Sequence, residues 1–253
     1  MAAWQESNGL KPTGQFDKAT AIVFPASGVV YTNYVITAED VAQRVTITED
    51  WLERSKLPGM YFQTLTEAVA EKFHAKEAFI RALNPQITDW TNLTAGATVK
   101  VPNLSTVRPR TGKAARLRVN LAAKTIRAYD EQGKFMALFP CSIAAKQEKR
   151  PVGTLTVQSV ALDPNYTYDP VNFPELDDKQ KSYGKLVVPP GPNNPVGTAW
   201  IGLSLPGYGM HGTPHPEQIG KTESHGCFRL ANWNASRLAQ IVEIGMAVEV
   251  TLE

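Results

Sequence analysis

Ala115-Arg116-Leu117-Arg118-Val119-Asn120-Leu121 alternates polar and apolar side chains at period two. That period belongs to a strand with one face on a core and the other in water. Thr125–Tyr129 repeats it, Glu131-Gln132-Gly133-Lys134 supplies a turn, and residues 135–143 then read as a buried strand. Residues 153–157 add another strand and residues 247–252 a last one. A single late helix is expected near residues 232–242, with Gly245 as its C-terminal cap. Residues 160–200 are rich in Pro, Asn, Tyr and Gly, which predicts a long ordered loop covering a groove. Residues 113–253 therefore read as a mainly β domain with one late helix.

Upstream, Leu104 to Lys113 (LSTVRPRTGK) is polar and carries Pro and Gly, the best boundary in the chain. Residues 31–104 form a small α+β unit before it. Apolar residues at 65, 68, 69 and 73 share a helix face, and Thr64 with Glu67 has the capping-box spacing. A second helix, residues 76–83, ends at Asn84-Pro85 because a residue before proline is pushed out of the α region. A strand follows over residues 97–102. The order is strand, helix, helix, strand, with residues 41–62 as an inserted segment. Residues 1–26 hold a polar turn (Lys11 to Gly14) and Asp17 as the N-cap of a short helix, too little to fold alone.

The chain has 253 residues, 43% hydrophobic and 20% charged, the composition of an ordinary globular protein. A formal net charge of +2 argues against nucleic acid as the partner. The local run Arg108, Arg110, Lys113, Arg116 and Arg118 reads as a solvated linker and strand edge. No apolar run is long enough to span a bilayer. The N-terminus has no charged-then-apolar leader, and Met1 to Trp4 reads as a start inside a domain.

Two cysteines are present, Cys141 and Cys227. Cys141 sits in the buried-strand pattern and reads as a small packing residue. Cys227 differs. It follows Ser224-His225-Gly226 and precedes Phe228-Arg229, and His211-Gly212-Thr213 lies sixteen residues ahead of it. A free thiol has a pKa of about 8.5, so it needs a base, and an imidazole within reach can remove its proton. Gly212, Gly220 and Gly226 let backbone amides approach a substrate closely. The combination points to acyl transfer on a thiol. The rival is a zinc site built from His211, His215, His225 and Cys227. Pro214 and Pro216 disfavour a helix presenting the first two, and no acidic residue lies between them as in a zinc-protease helix. Papain-like enzymes also pair Cys with His, but with the Cys first in the chain.

His211-Gly212-Thr213, Ile219-Gly220-Lys221 and Ser224-His225-Gly226-Cys227-Phe228-Arg229-Leu230 resemble the active-site signature of the bacterial L,D-transpeptidase catalytic domain. The resemblance reaches upstream through the hairpin strands and Pro151-Val152-Gly153-Thr154. It covers residues 113–253 and implies a β-sandwich with one late helix. Gly191 to Pro195 and Pro206 to Met210 are similar to export-type members with a long lid. Residues 61–103 resemble a LysM module, through Arg81 to Pro85 and Leu93 to Pro102. Residues 4–24 are similar to the tail of a helical peptidoglycan-binding domain.

The resemblance implies that Cys227 attacks a diaminopimelyl–D-alanine bond in a peptidoglycan tetrapeptide stem and becomes a thioester. A second stem would then take the acyl group, forming a cross-link, or a D-amino acid would exchange with the terminal residue. His211 is the implied general base; Gly212 stands where several relatives carry a serine that orients the histidine, and a backbone carbonyl is expected to do that job here. The N–H groups of Gly226 and Cys227 are the implied oxyanion donors, with His225 in support. Arg229 suits a stem carboxylate, and Ser224 and Tyr208 are further substrate-binding candidates. No metal or cofactor is implied. The expected partners are donor and acceptor stems, plus glycan strands at the LysM-like unit, and the expected state is a monomer in the periplasm or cell envelope. The alternatives are an L,D-carboxypeptidase of the same fold and a non-catalytic wall-binding protein.

Overall fold

The computed structural model describes residues 1–24, 28–105, 111–173, 176–221 and 226–253. Half of the expected linker, residues 106–110, lies outside the described residues. Two short helices open the chain, α1 (Ala2–Ser7) and α2 (Lys18–Val23), and Asp17 caps α2 by accepting the Thr20 N–H. One buried side chain holds them together. The Gln5 amide donates to Thr13 Oγ1 at 2.9 Å, Gln15 O at 2.8 Å and Thr20 Oγ1 at 2.7 Å. It also accepts from the Gly14 N–H at 2.8 Å.

The next unit contains β1 (Tyr31–Val35), α3 (Ala38–Ala42), α4 (Trp51–Ser55), α5 (Leu65–Lys72), α6 (Glu77–Leu83) and β2 (Thr98–Pro102). β1 and β2 pair antiparallel. The apolar face of α5 turns inward, so that Leu65 and Val69 meet Ile36, Ile80, Trp90, Val99 and Val101 in one core. Both arms of the capping box at Thr64 and Glu67 are present. Asn84, fully buried, ends α6 by donating to Ile80 O and Lys100 O at 2.8 Å each. A lone buried amide would be costly, and here it ties the helix end to β2.

The C-terminal domain runs through β3 (Arg116–Asn120), β4 (Thr125–Tyr129), β5 (Phe135–Pro140), β6 (Gly153–Leu162), β7 (Tyr166–Tyr168), α7 (Asp178–Lys181), β8 (Leu186–Val188), β9 (Ala199–Leu203), β10 (Gly209–His211), β11 (Phe228–Arg229), α8 (Asn232–Ile241) and β12 (Ala247–Thr251). The resemblance implies a mainly β domain, a β-sandwich with one late helix. The domain is mainly β, and its eight long-range strands make one mixed sheet, curled on itself, in the order β11-β10-β9-β6-β12-β3-β4-β5. The reason lies in β6. Its ten residues serve both halves, pairing with β12 at one end and β9 at the other, with a register shift between Val157 and Ser159. Bulges increase local twist and let a strand bend. The curl brings the two ends of the sheet together: Ser142, just past β5, exchanges backbone hydrogen bonds with Arg229 of β11 at 2.9 and 3.1 Å. The core inside includes Leu117, Val119, Ile126, Val157, Ile201, Met210, Phe228 and, from α8, Ala235, Leu238 and Ile241.

Gly245 does not cap α8. The helix closes at Val242, which is extended and buried, and whose N–H returns to Leu238 O at 3.1 Å. The chain must leave the helix directly into the core, so no left-handed residue fits there. Gly245 (φ +91°) is used three residues later, in the turn into β12.

The remaining two strands, β7 and β8, form a separate hairpin-like layer. The inserted segment 41–62 completes it. Trp51 stacks on Tyr168 with ring centroids 4.7 Å apart and meets Phe173 at 5.4 Å and Tyr166 at 5.8 Å. Met60 bonds the chain leading out of β8, its N–H to Pro190 O at 2.8 Å and its carbonyl to the Asn193 N–H at 2.9 Å. The α1 helix packs on β5, and Glu6 pairs with Arg127 of β4 at 2.7 Å. The N-terminal segments are thus seated on the C-terminal domain rather than strung beside it.

The seat is tightest at Gly191 (φ +141°), where a side-chain carbon would overlap the Met60 backbone. Gly96 (φ +92°) is a control with a similar backbone requirement and open space around it. Gly191→Ala is expected to destabilise the protein by about 2 kcal/mol more than Gly96→Ala, from overlap added to backbone strain. Equal losses for the two in denaturant titrations would mean that the Met60 contact yields freely.

Candidate functional site

The site forms where β10 and β11 run side by side. They pair in parallel, Met210 with Phe228 and His211 with Arg229. Met210 and Phe228 point into the core. Alternation along a strand then puts His211 and Arg229 on the opposite face, and Cys227, one residue before β11, on that same side. His211 and Cys227 both experience the Arg229 charge.

Several contacts fix the imidazole. Its Nδ1 lies 2.6 Å from Gly212 O. A carbonyl can only accept, so Nδ1 carries the proton and Nε2 is left with its lone pair. The ring stacks on Trp200 of β9, centroids 5.6 Å apart. Burial pulls the His211 pKa down to about 4, helped by Arg229 and opposed by the bond to Gly212. His211 is therefore neutral at pH 7.

Cys227 sits at the turn between β9 and β10. Its thiol donates to Gly207 O at 3.5 Å. Burial pushes its pKa up, while a backbone hydrogen bond from Gly209 and the Arg229 charge favour the thiolate. The sequence reading expects an imidazole within reach to remove the thiol's proton. The structure instead holds a neutral thiol beside a neutral imidazole, because burial penalises both charged forms. Cys141 shows burial with only the Lys124 charge opposing it and no backbone donor: it is fully enclosed and its thiol is pushed up to about 12.

The other expected residues divide. Gly226 is buried against the Tyr208 ring, 3.2 Å from where its side chain would begin. Tyr208 is partly exposed and its hydroxyl donates to Lys149 O at 3.0 Å. Arg229 contributes its backbone to the closure with Ser142. Ser142 Oγ also accepts from the Gly220 N–H at 3.1 Å and so steadies the loop before Cys227. Ser224 and His225 lie outside the described residues. His215 is exposed and stands 3.7 Å from Glu217. Among the described residues no group of three His, Cys, Asp or Glu side chains is placed to hold a metal ion.

Two side chains escaped the sequence reading. Burial raises the pKa of Tyr166 of β7, and the charges of Asp169 and Cys227 add to that rise. Asn232, 2% exposed, begins α8. Its Oδ1 accepts from the Thr213 N–H at 3.0 Å and the Thr198 N–H at 3.3 Å, and its Nδ2 donates to Pro192 O at 3.0 Å. Side chains at Gly197 or Gly212 would overlap that oxygen, which accounts for both glycines. The signal available in the sequence was an Asn at the start of the expected late helix.

Residues 114–250 match the model of the YkuD family, described as the L,D-transpeptidase catalytic domain. The chain is 26% identical over 185 residues to the YkuD protein of Bacillus licheniformis, an L,D-transpeptidase by name, covering 73% of this chain and 92% of that one. It is 27% identical over 183 residues to the Bacillus subtilis protein of the same name, covering 72% and 91%. The solved L,D-transpeptidase from Mycobacterium smegmatis superposes with a TM-score of 0.42 at 18% identity, over 63% of this chain and 76% of that one.

The unfolded imidazole binds a proton below about pH 6.5, whereas folded His211 resists it until about 4. Stability is therefore expected to fall as pH drops through that window, by up to about 3 kcal/mol from this group. His211→Gln removes the contribution. Denaturant titrations of both proteins from pH 7 to 4 should converge toward acid, and a constant difference would rule out the buried neutral imidazole.

Proposed function

Because the chain belongs to the L,D-transpeptidase catalytic-domain family, we propose that it acts on peptidoglycan stem peptides through a thioester on Cys227. The observation that supports this most is the tautomer of His211: with Nδ1 bonded to Gly212 O, Nε2 is the free base on the face that carries the thiol. In the reaction, Sγ attacks the carbonyl of the diaminopimelyl–D-alanine bond as its proton passes to Nε2. The backbone N–H groups of Gly226 and Cys227 stabilise the tetrahedral oxyanion. The C–N bond breaks, the proton returns to the departing D-alanine amine, and the acyl group stays on sulfur. An amine from a second stem then attacks the thioester, His211 removes its proton, and the thiol is released with an amide in place of the ester.

A neutral Cys–His pair suits this sequence. Charge appears only as the substrate enters a site already short of water, where preorganised donors act most strongly. Arg229 lies beside both groups and lowers the cost of anionic charge there, which fits a carboxylate-bearing donor stem. Tyr208 borders the thiol from the turn. Residues 31–104 take the part of a LysM-like unit that meets glycan strands, and the protein works in the cell envelope.

Incubation with a carbapenem, an acyl donor that a thiol can open, is expected to add one adduct mass to the wild type and none to Cys227→Ala. An adduct on that variant refutes the nucleophile. His211→Ala should slow acylation by about a hundredfold or more. With purified tetrapeptide muropeptides, cross-linked dimers and released D-alanine are expected by mass spectrometry. Tripeptide alone, with no dimer, would identify a carboxypeptidase instead.

A further inference from the structure

The loop that carries Gly212 and Thr213 is held from an unexpected side. Asn232 Oδ1 accepts the Thr213 N–H, so the amide fixes the peptide whose carbonyl binds His211 Nδ1. The same amide is itself held from two directions through Nδ2. One partner is Pro192 O at 3.0 Å. On its other side is Glu71, from α5 in the N-terminal unit, which walls the same cavity as Asn232 and whose carboxyl group the amide favours in its charged form. Around this junction His74, two residues past α5, stacks on Trp233 of α8 with centroids 5.2 Å apart. Asn193, one residue after Pro192, donates to Tyr61 O at 2.8 Å and to Glu67 Oε1 at 2.5 Å. The contacts of Tyr61, Glu67, Glu71 and His74 thus join the N-terminal unit to the elements that shape the His211 loop.

We propose that Glu71 is a positioning residue for the reaction, acting through the Asn232 amide on the orientation of His211. The N-terminal unit is then part of the machinery that readies the base, beyond any role in binding the wall. The chain of contacts is short: Glu71 carboxyl, Asn232 amide, the Gly212–Thr213 peptide, His211 Nδ1. The proposal rests on the acylation reading above.

Glu71 also brings a pH dependence. Burial raises its pKa to about 7, with the Asn232 amide pulling down and Glu67 pushing up. The other charged groups walling the same cavity, of about 480 Å³, are Lys76 and Glu77 at the start of α6 and His215 and Glu217 after β10. Nearby His74 is held low by burial. As Glu71 ionises, its bond from Asn232 becomes charge-assisted and stronger. The amide is then held harder, and Oδ1 becomes a better acceptor for the Thr213 N–H.

The test is the carbapenem acylation rate of the full chain between pH 5.5 and 8.5, for wild type, Glu71→Gln and Glu71→Leu. Glutamine keeps an acceptor for Asn232 but cannot ionise, and leucine keeps the bulk without an acceptor. The expected result at pH 8 is an order of about tenfold slower for Glu71→Leu, with Glu71→Gln recovering most of the rate. The ratio of wild type to Glu71→Gln should also rise through an inflection near pH 7, where the thiol's own titration cancels. Equal rates for all three, equal slowing of both variants, or a ratio flat with pH would each overturn the proposal. If Glu71→Leu does not fold, the Glu71→Gln ratio alone decides. Failure of the wild type to acylate at all would instead overturn the underlying reading of Cys227.

Discussion

A single buried amide governs the geometry on which the rest depends. Asn232 joins three separated segments at once: the loop after β8 through Pro192, the start of β9 through Thr198, and the turn after β10 through Thr213. Both of its polar atoms are used, as a group so far from water requires. Gly197 and Gly212 pack so closely on its oxygen that neither can carry a side chain. The imidazole of His211 takes its tautomer from the peptide held there. A change in this amide would therefore reach the His211 ring without touching it.

Electrostatics at the site follow from burial more than from pairing. His211 and Cys227 are both driven toward neutrality by loss of solvent, and Arg229 biases both toward the less positive form. The outcome is two neutral groups at the β10–β11 pair. Cys141 shares the chemistry of Cys227 but lacks a backbone donor and an open face, and its thiol is inert at about 12. Local surroundings, not residue type, separate a reactive sulfur from a packing one.

The curled sheet and the N-terminal segments solve one geometric problem together. β6 bends so that the sheet's ends meet at Ser142 and Arg229, which places β11 on a closed and rigid frame. The β7–β8 layer stands outside that frame and has too little apolar surface of its own. Trp51, Met60 and Leu57 from the 41–62 segment fill its core. The layer that carries Tyr166 is thus supported by residues more than a hundred positions earlier in the chain. That linkage explains why a segment that looks inserted in its own unit is structurally required by another.

Short-range physics was readable from the amino-acid order alone. Period-two alternation marked β3 and β4, the Thr64–Glu67 box marked the start of α5, and Asn84-Pro85 marked the end of α6, because each depends on neighbours within a turn. The cluster of His211, Gly226, Cys227 and Arg229 was legible for the same reason: unusual residue types lie within one loop-rich stretch. Gly245 misled because a glycine signals a left-handed position without saying which turn will use it. What only the folded chain decided were the relations across distance. The order of strands, the curling of one mixed sheet on itself, the neutral state of the Cys–His pair, and the meeting of Glu71 with Asn232 all come from burial and from contacts between remote segments. No local pattern encodes those, since they exist only once solvent has been excluded from between surfaces that the sequence keeps far apart.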